Sequence, residues 1–327
     1  MLCGSGFILK SSNLSDISRE AEKPLIPVFS LIIREFFTFI REKTFTMSVQ
    51  ISKARLFHSL HHRNEMLILP NIWDTLGALL IEDIGYPAVA TASASIAWSN
   101  GYADGEKIPF TELLRLLTRI CSAVELPVTA DIESGFAKDV KQLRENILRL
   151  TDTGISGINI EDTNHQTGTF LSAEQQAERI QEIRHAAEEK GVPLFINART
   201  DVYLNAALFP DEEQKLNEVI RRASLYKSAG ADGFFPVAVK KTEDISRITA
   251  EVDMPVNIVA LQGVPDLKTL EKSGVKRVSL GHGFIKTSIK SMKELAMQLK
   301  SLEGLDKVTE IDIPSPYMAQ LVTKKQR

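Results

Sequence analysis

Cysteine is scarce: the 327 residues hold only Cys3 and Cys121. Two thiols make neither a disulfide framework nor a cysteine zinc site, and they point to the reducing cytoplasm. An excess of either charge is also missing, with 39 Lys and Arg against 42 Asp and Glu and a net charge of −3. A chain so balanced has no basic stripe to neutralise a phosphate backbone, which argues against nucleic acid as the main partner. No apolar run approaches the ~20 residues that cross a membrane. The run at residues 25–33 (LIPVFSLII) is ended by Arg34 and Glu35. Asp16, Glu20 and Glu22 precede that run, which fits neither a secretory signal nor a mitochondrial presequence. What is present, 43% hydrophobic and 25% charged, is an ordinary globular composition that excludes disorder and collagen.

Residues 1–46 differ in texture from the rest. They are expected to be an accessory extension, disordered or carrying an added helix, or an upstream start that misplaces the N-terminus. From Met47 the sequence becomes regular. Eight short apolar runs follow: LILPN (67–71), AVATA (88–92), PVTADI (127–132), GINIE (157–161), PLFINAR (193–199), GFFPV (233–237), PVNIVA (255–260) and RVSLG (277–281). Nearly unbroken hydrophobicity between Pro and Gly is what strands buried on both faces require. Amphipathic helical stretches lie between them at 110–124, 138–152, 172–189, 212–229 and 284–301, with Ser172 and Gln175 reading as a capped start and Gly191 as a stop. Eight β-then-α repeats in this length predict an α/β fold, a (β/α)8 TIM-type barrel over 47–310, with a C-terminal tail at 311–327. The competing doubly wound sheet lacks support, because IWDTLG rather than a glycine-rich fingerprint follows the first strand.

In such a barrel the chemistry sits at the carboxyl ends of the strands. The third strand ends in Asp131-Ile132-Glu133, the fourth in Glu161-Asp162 and the fifth in Arg199-Thr200-Asp201, while the loop after the second carries Asp104 within NGYADGE. Acids converging on one rim, free of sulfur and histidine, predict a hard divalent cation: Mg²⁺, with Mn²⁺ as the alternative. Arg199 beside that ion offers a planar fork for a substrate carboxylate or phosphonate. The bland alternative makes Asp162 and Asp201 simple helix N-caps.

The set LPNIWD, ATASASIAWSNGYADGE, PVTADIESGF, GINIEDT and PLFINARTDVYL resembles the isocitrate lyase/phosphoenolpyruvate mutase superfamily, in its phosphoenolpyruvate-mutase-like branch, over residues 55–302. The resemblance implies that Asp131 binds Mg²⁺ directly, with Glu133, Glu161 and Asp104 completing the metal site, mostly through water. Glu133 stands where the family usually has aspartate. Arg199 would bind substrate, joined by the turn Thr91, Ala92, Ser93 and Ala94, where Ser93 replaces a common glycine. The gate after the fourth strand reads EDTNHQTGTFL, without the cysteine motif of the lyases, and leaves Asn164, His165 and Thr167 as polar candidates. Of these, His165 and Asn164 join Arg199 as expected catalytic residues. Val237 stands where the lyases carry a glutamate, which argues against isocitrate or methylisocitrate cleavage. The expected activity is C–C cleavage or hydrolysis of a small 2-oxo or 2-hydroxy carboxylate through an enolate-like state. The alternatives are a phosphonate mutase or hydrolase, and a non-catalytic oxo-acid binder. The resemblance also implies a homo-oligomer, dimer or tetramer, with the last helix swapped between subunits.

Other features read as structural. His58, His61 and His62 have helical spacing and are expected on a solvated face. Gly281-His282-Gly283 is assigned to close packing, Trp73-Asp74 either to the pocket or to a helix cap beside a packed indole, Cys121 to a buried apolar role, and TKKQR to a disordered end.

Overall fold

A computed structural model describes residues 47–323. The expectations for 1–46, and all but the first residue of TKKQR, lie outside them. All eight apolar runs are strands, the first of them in two pieces. They are β1 (Leu67–Leu69), β2 (Asn71–Ile72), β3 (Val89–Thr91), β4 (Val128–Asp131), β5 (Gly157–Glu161), β8 (Phe195–Thr200), β9 (Gly233–Pro236), β10 (Asn257–Val259) and β11 (Arg277–Ser279); β6 (Thr163–Asn164) and β7 (Thr169–Phe170) are extra. The order β2-β3-β4-β5-β8-β9 is continued by a parallel bridge from Phe234 to Val256 into β10-β11-β1, and only Pro70 separates β1 from β2. Parallel pairing all round thus closes an eight-staved barrel, which leaves no sheet edge to protect.

Helices α2 (Thr75–Ile84), α4 (Phe110–Ala123), α5 (Val140–Thr151), α6 (Ala173–Glu189), α7 (Glu212–Ser228), α8 (Thr242–Glu251), α9 (Leu267–Lys272) and α10 (Gly283–Lys300) separate or follow the staves, with short α3 (Ser93–Ser99) after β3. Their amphipathicity decides which face is buried: α4 buries Leu113, Leu117, Ile120 and Cys121, spaced four, three and one apart on one stripe. Local sequence sets their starts. Asp74, Asp139, Asp211 and Asp266 each accept the backbone N–H three residues on, and Ser172 with Gln175 forms the expected capping box.

The foot of the barrel is closed by α1, helical over residues 47–61. Phe57 and Leu60 enter one apolar cluster with Leu67, Leu69, Ala88, Ala90 and Phe195. Gly157 leaves room for that plug, since a Cβ there would lie 2.9 Å from the Phe57 ring. The expected solvated histidine face is corrected here. His61 is 2% exposed and stacks on Phe195 with centroids 3.9 Å apart, while its Nδ1 meets Phe57 O at 2.8 Å. His58 Nε2 reaches Pro193 O at 3.1 Å, and His62 remains exposed. Rings packed against the plug contribute more by burial than they would gain from hydration.

A second difference lies at the other end. The stretch expected as a tail from residue 311 contains α12 (Ser315–Thr323), after a turn of helix α11 (Asp306–Thr309). Leu321 of α12 is buried, and Tyr317 donates from its hydroxyl to Asp83 of α2 at 3.0 Å.

Candidate active site

Each acid at the mouth is aimed by local backbone. Asp131 ends β4, and its Oδ2 accepts from the Ser93 hydroxyl at 3.0 Å and from Ser93 N–H at 3.3 Å. Thr91 Oγ1 in turn accepts Asp131 N–H at 3.1 Å. The N–H of Ala92 is spent on Ile72 O, and Ala94 lies buried one residue into α3. The β3 turn therefore orients Asp131, with Ser93 as its direct contact.

Beyond β4 the chain turns tightly. Glu133 and Phe136 take φ of 52° and 55°, in the left-handed region that costs a non-glycine residue energy, and Glu106 in the facing loop does the same at 58°. These strained conformations are held by one another. Glu106 N–H donates to Glu133 Oε2 at 2.8 Å, and Glu106 Oε1 accepts from Ser134 Oγ at 2.6 Å and Phe136 N–H at 2.7 Å. Its Oε2 accepts Gln166 Nε2 at 2.7 Å. Glu106 thus ties the loop after β3 to the turn after β4 and to the gate. Sequence reasoning passed over it in favour of Asp104, which is exposed and whose charge acts on Glu133 and on His282. The available signal was its place after Gly105, whose φ of 89° lets the loop lie against the His165 ring.

Glu161 ends β5, 2% exposed, in register with Arg199 of β8. Arg199 Nη1 pairs with Glu161 Oε2 at 2.5 Å, and its Nε donates to Asp201 Oδ1 at 2.7 Å. Burial would lower the guanidinium's pKa, but Glu161, Asp201 and Asp131 together raise it, so Arg199 is permanently charged. His165 Nε2 touches Glu161 Oε1 and lies 3.8 Å from Glu133 Oε2. Its hydrogen bond with Glu161 raises its pKa to about 9 against the opposing effect of burial. Burial, with Asp131 and other acids nearby, pushes Glu133 up to about 8.

The gate is a hairpin of β6 and β7. Asn164, expected among the catalytic residues, is its organiser: Nδ2 donates to Ala137 O at 3.1 Å, and Oδ1 accepts the N–H groups of Gln166 and Thr167. Asp162 and Asp201 are not helix caps. Asp162 is fully buried and accepts from Arg222, Tyr226 and Asp201 N–H at 2.7, 2.9 and 2.8 Å; Asp201 accepts from Arg199 and from Thr163 Oγ1. This bracing fixes the ends of β5 and β8 relative to one another.

Asp131, Glu133, Glu161, Arg199 and His165 are therefore brought together, while Asp104 stands exposed with its charge felt by Glu133 and Asn164 turns its amide to the backbone of the gate. Among the described residues no three His, Cys, Asp or Glu side chains surround one metal position. Asp131, Glu133, Glu161 and Asp201 nevertheless outnumber Arg199 and His165, and every carboxylate donor is a hard oxygen. That donor set fits a divalent cation held by one or two carboxylates with the rest acting through water, the habit of Mg²⁺.

A closed parallel barrel whose rim gathers acids, one arginine and one histidine defines a class: (β/α)8 enzymes with their chemistry at the strand ends. The chain belongs to the family described as phosphoenolpyruvate phosphomutase, whose profile matches residues 57–300. It is similar to a protein of Burkholderia cenocepacia given the provisional name phosphonomutase. The two share 37% identity over 75% of this chain and 99% of the other, with a TM-score of 0.72. The oxaloacetate decarboxylase of Pseudomonas savastanoi is 28% identical over 76% of this chain and 86% of its own. A phosphonopyruvate hydrolase solved with oxalate and Mg²⁺ shares the fold at 19% identity, covering 84% of this chain and 96% of the other, with a TM-score of 0.72. The chain is thus a lyase or phosphonomutase-like enzyme. No helix among the described residues is long and apolar enough to cross a membrane.

Proposed function

We propose that this enzyme is a Mg²⁺-dependent carbon–carbon lyase or hydrolase acting on a small 2-oxo or 2-hydroxy carboxylate through an enolate-like state. The observation that carries the reading is the chain of contacts from His165 through Glu161 to Arg199, beside Asp131 and Glu133. Asp131 would hold the ion directly, and Glu133 and Glu161 through water. When bound, the cation would draw developing negative charge onto the substrate oxygens. Arg199, already charged and held by Asp201 and Glu161, binds the substrate carboxylate. His165 carries a proton at Nε2, and the carbon left by cleavage takes that proton. Glu106 and Gln166 hold the loop and the gate to one another beside these groups.

A phosphonate-acting mutase or hydrolase is the second reading, favoured by the 37% identity to the Burkholderia cenocepacia protein. Pyruvate release from a panel of 2-oxo acids, malates and phosphonopyruvate, each with and without Mg²⁺, decides between them. Release from a dicarboxylate supports the lyase, conversion of phosphonopyruvate either to phosphoenolpyruvate or to pyruvate and phosphate supports the second reading, and turnover that survives chelation overturns both. Assembly as a homo-oligomer, dimer or tetramer, with α10 exchanged between subunits belongs to the same reading. It is supported by an 18-residue helix that buries only Ile285 and exposes Ile289, Met292 and Met297. Sedimentation of the purified chain as a monomer overturns that part. A cytoplasmic location is supported by the chain's two cysteines.

A further inference from the structure

Arg277 is the largest fully buried side chain, 1% exposed, yet no acid pairs with it among the described residues. It opens β11, in register with Leu67 and Asn257. Its Nη2 donates to Asn159 Oδ1 at 3.1 Å, while Nε and Nη1 meet no acceptor among the described residues. Burial pulls the guanidinium's pKa down and the charge of Asp131 opposes that. A cation placed in a barrel at such cost calls for a purpose.

Asn159 supplies one. It lies in β5 in register with Asp131 and Asn197, two residues before Glu161 and so on the same face of the strand. Its Oδ1 accepts from Asn197 Nδ2 at 2.9 Å as well as from Arg277. Arginine has donors only, so the branch of the amide that faces it must be the oxygen. The nitrogen occupies the other branch, where it finds no acceptor among the described residues, and the side chain keeps a trace of exposure at 5%.

We infer that Asn159 is a further substrate-binding residue, presenting its Nδ2 hydrogens to an anionic oxygen of the bound carboxylate. Arg277 is then the positioning residue that forbids the amide to flip. The inference rests on the function proposed above. The chemistry it selects is an acceptor oxygen, carboxylate or enolate, in the layer just beneath Glu161 and Arg199. A flipped amide would turn its own oxygen to that anion and repel it.

The test is calorimetry of oxalate binding in Mg²⁺, with Mg²⁺ binding alone as a second readout. Wild type is expected to bind oxalate. Asn159→Ala is expected to lose about 10-fold in oxalate affinity, the scale of one hydrogen bond to a charged group, with Mg²⁺ affinity within about twofold of wild type. Asn159→Asp is expected to melt at or above the wild-type temperature, because Arg277 gains a carboxylate, yet to bind oxalate more weakly than Asn159→Ala. Arg277→Met is expected to match the loss of Asn159→Ala, and the double variant to lose no more. Should Arg277→Met not fold, the melting temperature of Asn159→Asp still reports the contact, and a lower one overturns the positioning role. Oxalate binding unchanged in both Asn159 variants overturns the inference and leaves the proposed function standing. Absence of oxalate binding by wild type overturns both.

Discussion

The two ends of the barrel solve opposite problems. At the foot, α1 drives Phe57 and Leu60 into a dry cluster and seals it with a buried neutral histidine. At the mouth, Asp131, Glu133, Glu161 and Asp201 are crowded together, Glu133 on a strained turn braced by the equally strained Glu106, and burial raises the pKa of Glu133 and Glu161. One end gains stability from packing. The other gives stability up to gather charge where substrate and metal can offset it, which is how strain and perturbed acids come to share a site.

That contrast sets expectations for mutation. Phe57→Ala at the foot should destabilise by about 3–5 kcal/mol in chemical denaturation, while kcat of the folded fraction stays within about twofold of wild type. Asp131→Ala at the mouth should do the reverse. Turnover should fall by about 10²-fold or more with little change in the denaturation midpoint, and the stabilisation by Mg²⁺ plus oxalate in a thermal shift should vanish. Oxalate stabilisation that survives this change would remove the metal assignment. Glu106→Ala joins the two regimes. It strands the Phe136 N–H and two side-chain donors, so about 2 kcal/mol of stability should be lost, and the loosened loop should raise KM more than it lowers kcat.

The smallest effect is in pH. His61 is held well below the ordinary histidine value of 6.5 by burial and by the charge of Arg277. Below that pH the unfolded chain takes up a proton that the folded chain refuses, so this contribution is complete above pH 6.5 and is lost as acid is added. His61→Phe should therefore flatten the fall in denaturation midpoint between about pH 6.5 and 5, by roughly 1 kcal/mol. An equal fall in wild type and variant would show that the foot does not carry this titration.

The staves were legible because buried strands between Pro and Gly leave an unmistakable pattern, and the helix starts because caps are local chemistry. Asp131, Glu161 and Arg199 were legible for a related reason: strand ends are where a barrel keeps its chemistry. Glu106 was not, because its role depends on a loop folding back across a turn 27 residues further on. His61 misled because helical spacing reports which residues share a face, and says nothing of what that face meets. Asn164 was legible as a residue of the gate, but its position there did not reveal that its amide bonds the backbone.

Periodicity, punctuation and strand-end residues by themselves determined the barrel, its eight staves and the acids with Arg199 at its rim, because each is encoded within a few neighbouring residues. Tertiary structure decided the rest. Which end α1 seals, which acid braces which loop, and which way the Asn159 amide faces are set by contacts between residues 20 to 200 positions apart. Such contacts leave no periodic trace, since they exist only once the sheet has closed.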